Sequence, residues 1–259
     1  MDISFIGLGI GMLLLIVPLF FFRLYQTGLV RPLVTGALRM VVQLALLHLY
    51  LEYLFALNSP CVNVLWVMIM VVVAAWTAVS RTRLTMRMMF MPSILAFFIT
   101  AMLIGMYFLI FVLDLDRPFT AQYFIPIMGI LLGNMLSVNV IALSSYYGRL
   151  HREKQFYYYL LGNGATRFEA TMSFMRDAIV KAFSPCIANM AVMGLVSLPG
   201  TMIGQILGGS DPGVAVKYQL MIIIITLVAS TISVMITCRL ADINAFDKFD
   251  RIVIKSKQR

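Results

Sequence analysis

An all-α bundle of about seven transmembrane helices is the fold class this sequence predicts. Of its 259 residues, 61% are hydrophobic and only 12% are charged, where an average soluble domain is about a quarter charged. Apolar stretches of about 20 residues recur along the whole length, each long enough to cross a hydrocarbon core about 30 Å thick. Between them no stretch is long enough to bury a second, soluble core, and no GxxxxGK[ST] phosphate loop occurs. A nucleotide-hydrolysing domain within these residues is thereby excluded.

The first run, Ile3 to Phe22, follows the acidic Asp2 and ends in Phe-Phe-Phe-Arg. With no basic lead-in and no small-residue cleavage site, it predicts a retained span rather than a secretory signal. Further spans are expected at Gly36 to Leu57, Val62 to Val79, Met91 to Leu113, Tyr123 to Tyr147, Ala178 to Leu198 and Leu220 to Cys238. Cys61, Cys186 and Cys238 lie far apart without a CxxC pair, which indicates neither a zinc site nor a disulfide framework.

Lys and Arg collect in cytoplasmic loops, so their distribution orients the chain. With the N-terminus outside and the C-terminus cytoplasmic, eighteen of the 20 basic residues fall inside and only Arg117 and Lys217 fall outside. The acidic Asp114, Asp116 and Asp211 sit on the poor side. A formal charge of +9 is thus a record of topology in a multi-pass protein of the plasma membrane, the inner membrane in a bacterium. It does not require a nucleic acid partner; the expected surroundings are lipid.

The cytoplasmic stretch from Gly148 to Asp177 exceeds a simple turn. It divides at Gly162-Asn163-Gly164, a strong helix breaker between residues that favour helix. Thr166 and Glu169 have the spacing of a capping box, in which each side chain satisfies a free amide at a helix start. Phe168, Met172, Met175 and Ile179 then recur at helical spacing, predicting one apolar face with Arg167, Ser173 and Arg176 turned to water. Two readings fit this amphipathic helix: one that lies on lipid headgroups, or one that docks into a partner protein.

At Leu160 to Ala170 the sequence LLGNGATRFEA resembles the coupling loop of ABC permeases, and more closely that of the FetB-type permease family, "ALGAT-x-x-EA". The resemblance extends through RMVVQLALLHLYLE at Arg39 to Glu52, PIMGILLGNMLSVNVIAL at Pro126 to Leu143 and MAVMGLVSLPGTMIGQILGGSDPGVAVKYQ at Met190 to Gln219. Asn163 and the run Tyr157 to Tyr159 depart from the family pattern. The resemblance implies that residues 1–259 form one permease domain with coupling helices within 148–177. It also implies that Gly162, Gly164, Ala165, Thr166 and Glu169 form the contact with a separate ABC ATPase. That partner would bind ATP and magnesium; this chain itself would bind no cofactor. Two ATPase sites per engine imply a permease homodimer. In this family the cargo is iron in bacteria, exported, while plant relatives are associated with aluminium tolerance and with UDP-glucose. A nucleotide sugar or other small solute is therefore the alternative cargo.

Polar groups in hydrocarbon are costly and tend to face protein or a water-filled path. On that ground Gln43 and Glu52 in the second span, Asn134 in the fifth and Gln205 in the Gly- and Pro-rich block Leu198 to Pro212 are candidate path residues. The bland alternatives are an interfacial Glu52 and His48, a packing role for Asn134, Ser137 and Asn139 around the GxxxG of Gly129 and Gly133, and an ordinary outer loop at the block. The block is expected to be a re-entrant or external gate, because broken backbone at membrane depth must be buried or line a cavity. Twenty methionines are scattered without a motif and read as adaptable filler. Two histidines with no convergent carboxylates or nucleophile argue against an enzyme. A secondary transporter should show inverted repeats and midplane charges, which are not evident.

Overall fold

The computed structural model describes residues 5–82 and 84–253. Ile3 and Ser4 of the first expected span with the preceding Asp2, and Arg83, Lys255, Lys257 and Arg259 of the charge pattern, lie outside the described residues. Among the described residues there is no β-strand, only two isolated bridges. The chain divides into two units, Met1–Asn58 and Ser59–Arg259.

The first unit holds α1 (Phe5–Leu13), α2 (Ile16–Leu24) and α3 (Val30–Leu57). α1 and α2 are one apolar run broken at its middle, and Pro18 explains the break. Its ring has no N–H to offer the Leu14 carbonyl and crowds it. The amides of Leu14, Leu15 and Val17 turn instead to carbonyls three residues back, at 3.1 to 3.2 Å. In α3 only Leu54 is buried, so this unit presents apolar surface nearly all round, as a lipid-facing segment does.

The second unit holds α4 (Pro60–Thr82), α5 (Met86–Tyr107), a π turn (Phe108–Val112), α6 (Ala121–Arg152), α7 (Lys154–Gly162), α8 (Arg167–Val192), α9 (Gly200–Leu207) and α10 (Pro212–Ala245). α4, α5, α6 and α10 pack on one another, α8 lies on α6, and α9 lies on α10. The inner face of α4 is Val67, Val71, Ala74, Ala75 and Ala78, a single helical stripe. Close helix approach falls at Gly105, where a Cβ would collide with the Met128 thioether. Of the expected GxxxG, Gly129 is also close to a neighbouring helix, α4, and Gly133 is not. A Cβ at Gly129 would meet only Met70 Cε at 3.3 Å, and one at Gly133 would meet nothing within 4 Å.

Polar groups inside this unit cross-link helices. Pro92 leaves the Met88 carbonyl of α5 without its helical donor, and the Asn244 amide of α10 donates to it at 3.4 Å. Of the expected polar residues of α6, only Asn139 reaches another helix, donating to Ser233 Oγ of α10 at 2.8 Å. Asn134 and Ser137 donate to Ile130 and Gly133 carbonyls of their own helix. At the end of the bundle nearest α7, the Tyr147 hydroxyl donates to Asp242 at 2.8 Å and that of Tyr146 does so at 3.3 Å. Both tyrosines are fully buried, so Asp242 is the acceptor that allows two phenols inside the α6–α10 interface.

Six of the described helical segments, rather than seven, are long and apolar enough to cross a membrane: Gly7–Leu24, α3, α4, α5 with its π turn, α6 and α10. The chain is thus a multi-pass helical membrane protein. The expected sixth span, Ala178 to Leu198, is not among them. α8 begins earlier, at Arg167, and stops at Val192. Arg176, Asp177 and Lys181 fall within any 18 consecutive residues of it. Its apolar part is short, and the chain then turns through Gly194 at φ +84 before α9.

Asp242→Ala should strip the acceptor from two buried hydroxyls and destabilise the bundle by about 2–3 kcal/mol. Asp242→Asn, which keeps an acceptor oxygen, should cost less than half as much. Unfolding midpoints in mixed detergent and SDS measure this, and equal losses for the two variants would show that the phenols do not depend on that oxygen.

Candidate functional site

α7 and α8 form a helical hairpin whose turn is closed by its own backbone. The Ala165 amide donates to the Leu160 carbonyl at 3.1 Å and the Gly164 amide to Leu161 at 3.0 Å. This paired C-terminal cap needs a left-handed residue, and Gly164 supplies it at φ +89. Gly162 is different. It is the last residue of α7, and a Cβ there would meet nothing within 4 Å, so the turn depends on one of the two glycines.

Three residues on, Thr166 and Glu169 form the expected capping box of α8. The Glu169 amide donates to the Thr166 hydroxyl at 3.3 Å, and the Thr166 amide and hydroxyl each donate to the Glu169 carboxylate at 2.8 Å. The bonds from the Thr166 amide and then its hydroxyl hold the Glu169 carboxyl below its usual range. The cap is therefore complete above the ordinary glutamate value of about 4.3 and is lost as pH falls through the lowered one. All five residues of the expected contact, Gly162 to Glu169, thus occupy one exposed, self-locked turn.

Only part of the expected face of α8 packs inward: Met175 and Ile179 lie partly buried against the core. Ala170, Thr171, Phe174, Ala178 and Ala182 are buried, because three alanines let α8 come close to α6. Phe168 and Met172 remain exposed at 55% and 57%, and the Ser173 hydroxyl, expected in water, is buried. Arg149 at the end of α6 organises this packing. It donates to Glu153 at 3.0 Å, to the Ser173 carbonyl at 3.4 Å and to Asp177, and lies 5.0 Å over the Phe174 ring. Its hydrogen bond holds the Glu153 carboxyl low. The Arg149–Glu153 spacing is visible in sequence; its reach to Asp177, 28 positions on, is not.

Between α8 and α10 opens a groove of about 1410 Å³, lined by Arg167, Met172, Arg176, Met235, Arg239 and Asp242 among others. Thr166 and Glu169 stand at its edge, whereas Gln43, Glu52, Asn134 and Gln205 do not line it. Gln43 and Glu52 are exposed on α3, in the first unit. In the second unit, Asn134 shares an exposed face of α6 with Ser137 and Ser144, and Gln205 is half-buried on α9. The polar link between α9 and α10 is made by Thr201, which donates to the nearly buried Gln219, and not by Gln205. Asp211 caps α10, accepting from the Gly213 and Val214 amides at 2.8 and 3.2 Å. Among the described residues no three His, Cys, Asp or Glu side chains are grouped to hold a metal ion.

The hairpin and the bundle that carries it lie within the part of the chain that matches known proteins. The family described as "Uncharacterised protein family (UPF0014)" matches residues 5–246. The chain belongs to this family. One relative is the UPF0014 membrane protein YjkA of Bacillus subtilis, 26% identical over 237 residues, 90% of this chain and 92% of that protein. The probable iron export permease protein FetB of Escherichia coli is 27% identical over 248 residues, 96% of this chain and 94% of that protein. Protein ALUMINUM SENSITIVE 3 of Arabidopsis thaliana is 30% identical over 197 residues, covering 75% and 70% of the two chains. No solved structure matches. The match to the family thus spans the hairpin, the groove and α9, and the names of two of these relatives describe a membrane protein and a permease.

Replacing Gly164 by Ala forces a Cβ onto a left-handed residue and should cost about 1–2 kcal/mol. Gly162→Ala, in open helical space, should be neutral or gain up to about 1 kcal/mol. Thermal unfolding of the detergent-solubilised protein separates them; equal shifts would mean that the turn does not rely on Gly164.

Proposed function

We propose that this chain is the membrane-spanning subunit of an ABC transporter, that the α7–α8 hairpin is its docking element for a separate ATPase, and that its cargo is an exported metal ion, iron. The observation that carries the reading is the hairpin itself. A helix pair locked by the Gly164 cap and the Thr166–Glu169 box, with Phe168 and Met172 exposed beside it, suits an element that must seat in a groove and move without deforming. Arg149 ties it to α6, so a push on the hairpin reaches the bundle. The chain carries no phosphate loop of its own, and a separate ATPase with ATP and magnesium supplies the energy. Two such ATPases act on two hairpins, which calls for a homodimer.

In this reading the hairpin lies on the cytoplasmic, basic side. The apolar part of α8 and the short α9 share the sixth crossing as a broken span, a backbone form tolerated where protein or a cavity covers it. Asn134, Ser137 and Ser144 give α6 a polar face at membrane depth, and Gln43, Glu52 and Gln205 add polar groups to the path. Iron rests on the name of the Escherichia coli relative, an iron export permease protein.

Gly164→Trp or Glu169→Lys should leave the chain in the membrane at wild-type level and abolish capture of a stand-alone ABC ATPase co-expressed from a neighbouring gene. Capture that survives both substitutions removes the docking role. For the cargo, inverted vesicles containing the complex should take up Fe²⁺ in an ATP-dependent manner and not UDP-glucose, assayed side by side; the reverse preference would replace iron by a nucleotide sugar.

A further inference from the structure

After α10 the chain does not run off into solvent. Phe246 to Val253 folds into a tight loop that returns on itself, with Phe246 and Ile252 bridged antiparallel. The Asp247 carboxylate accepts from the Phe249 amide at 2.9 Å and the Arg251 amide at 2.8 Å. Asp250 takes a left-handed turn at φ +56, which aspartate tolerates better than most residues. The Val253 amide closes the loop on the Ala245 carbonyl at 2.8 Å. The tail is therefore a stiff extension of α10.

This extension grips both helices of the hairpin. Toward α7, the Tyr157 hydroxyl donates to the Asp250 carbonyl at 2.9 Å, and the Ile252 amide donates to the Tyr158 hydroxyl at 3.1 Å. The Phe246 ring lies 5.6 Å from that of Tyr157, both buried. Burial raises the Tyr157 phenol well above its ordinary value, so it stays a donor. Toward α8, Arg167 pairs with Asp250 at 3.4 Å and its guanidinium lies 5.5 Å over the Phe246 ring. Elsewhere α8 and α10 are parted by the groove, which Arg239 crosses to lie 5.2 Å over Phe168.

We propose that the tail Phe246–Val253 is a strut that carries displacement of the hairpin directly to α10, with Tyr157, Phe246 and Asp250 as its positioning residues. This rests on the hairpin being the ATPase-docking element. Without the strut, a push on α7 and α8 would reach α10 through α6 and the Tyr146–Tyr147–Asp242 cluster, and through the single contact of Arg239 with Phe168. With it, α6 and α10 move together, as two helices flanking a path must. The exposed ion pair is individually weak, but a like charge in its place would push the loop away from Arg167 and with it the buried ring pair and the Tyr157 bond that form the grip.

The test uses the full chain with its co-expressed ATPase in proteoliposomes, with Fe²⁺ as the probe and ATP hydrolysis measured in parallel. Phe246→Ala and Asp250→Arg should each retain wild-type ATPase capture and hydrolysis within about twofold, while Fe²⁺ moved per ATP falls about tenfold, the scale expected when a coupling path is cut. Arg167→Asp combined with Asp250→Arg restores the pair with its charges exchanged and should recover most of that ratio. Should Phe246→Ala fail to accumulate, Asp250→Arg and its rescue decide. A wild-type ratio in Asp250→Arg, or no recovery in the double variant, overturns the strut. Loss of ATPase capture in Asp250→Arg also overturns it, making the tail part of the docking surface. Wild-type chain that captures no ATPase fails the docking reading instead, and so is told apart.

Discussion

Hydrocarbon offers no partner to a free amide or carbonyl, and nearly every structural feature of this chain follows from that constraint. Long helices satisfy their own backbone and need little else, which is why α3 can span 28 residues while burying only Leu54. The informative places are those where the helical ladder stops, since each stop strands polar groups that something must satisfy. Pro18 passes its deficit to three-residue bonds, Pro92 passes one to Asn244 of α10, and α10 begins under the carboxylate of Asp211. The α7–α8 turn is the most completely satisfied of these stops. That completeness is what turns a break in a helix into a rigid hairpin.

Rigidity there has consequences beyond the turn. Arg149, Glu153 and Asp177 hold the hairpin to α6, Tyr146 and Tyr147 hold α6 to Asp242 of α10, and the tail returns from α10 to the hairpin. The three connections form a closed ring of contacts around the groove. A closed ring transmits force to every member, whereas an open chain of contacts dissipates it at the first soft joint. The polar groups of this ring are therefore better understood as joints than as isolated stabilising bonds.

Much of this was legible in one dimension. The spans, the break at Gly162-Asn163-Gly164 and the Thr166–Glu169 box depend on residues at most a few positions apart, and local geometry decides them. What went astray depended on neighbours far along the chain. Of the apolar stripe, Met175 and Ile179 pack partly buried against the core, while alanines at 170, 178 and 182 rotate α8 onto α6 so that Phe168 and Met172 stay exposed. Of the GxxxG, Gly129 lies close to Met70 of α4 and Gly133 meets nothing, while the tightest glycine contact is at Gly105, where Met128 happens to lie opposite.

Sequence by itself determined that the chain is a multi-pass helical membrane protein, where its helices break, and that its one extended loop is a capped hairpin. These follow from hydropathy, spacing and backbone conformation, which are properties of contiguous residues. Tertiary structure alone decided that α8 packs by its alanines and that Arg149 reaches Asp177. It alone made Asp242 the acceptor for two buried tyrosines and folded the tail after Ala245 back onto Tyr157 and Arg167. Each of these joins residues tens of positions apart, and chain distance carries no information about which of many chemically suitable partners the packing of the helices will bring within hydrogen-bond reach.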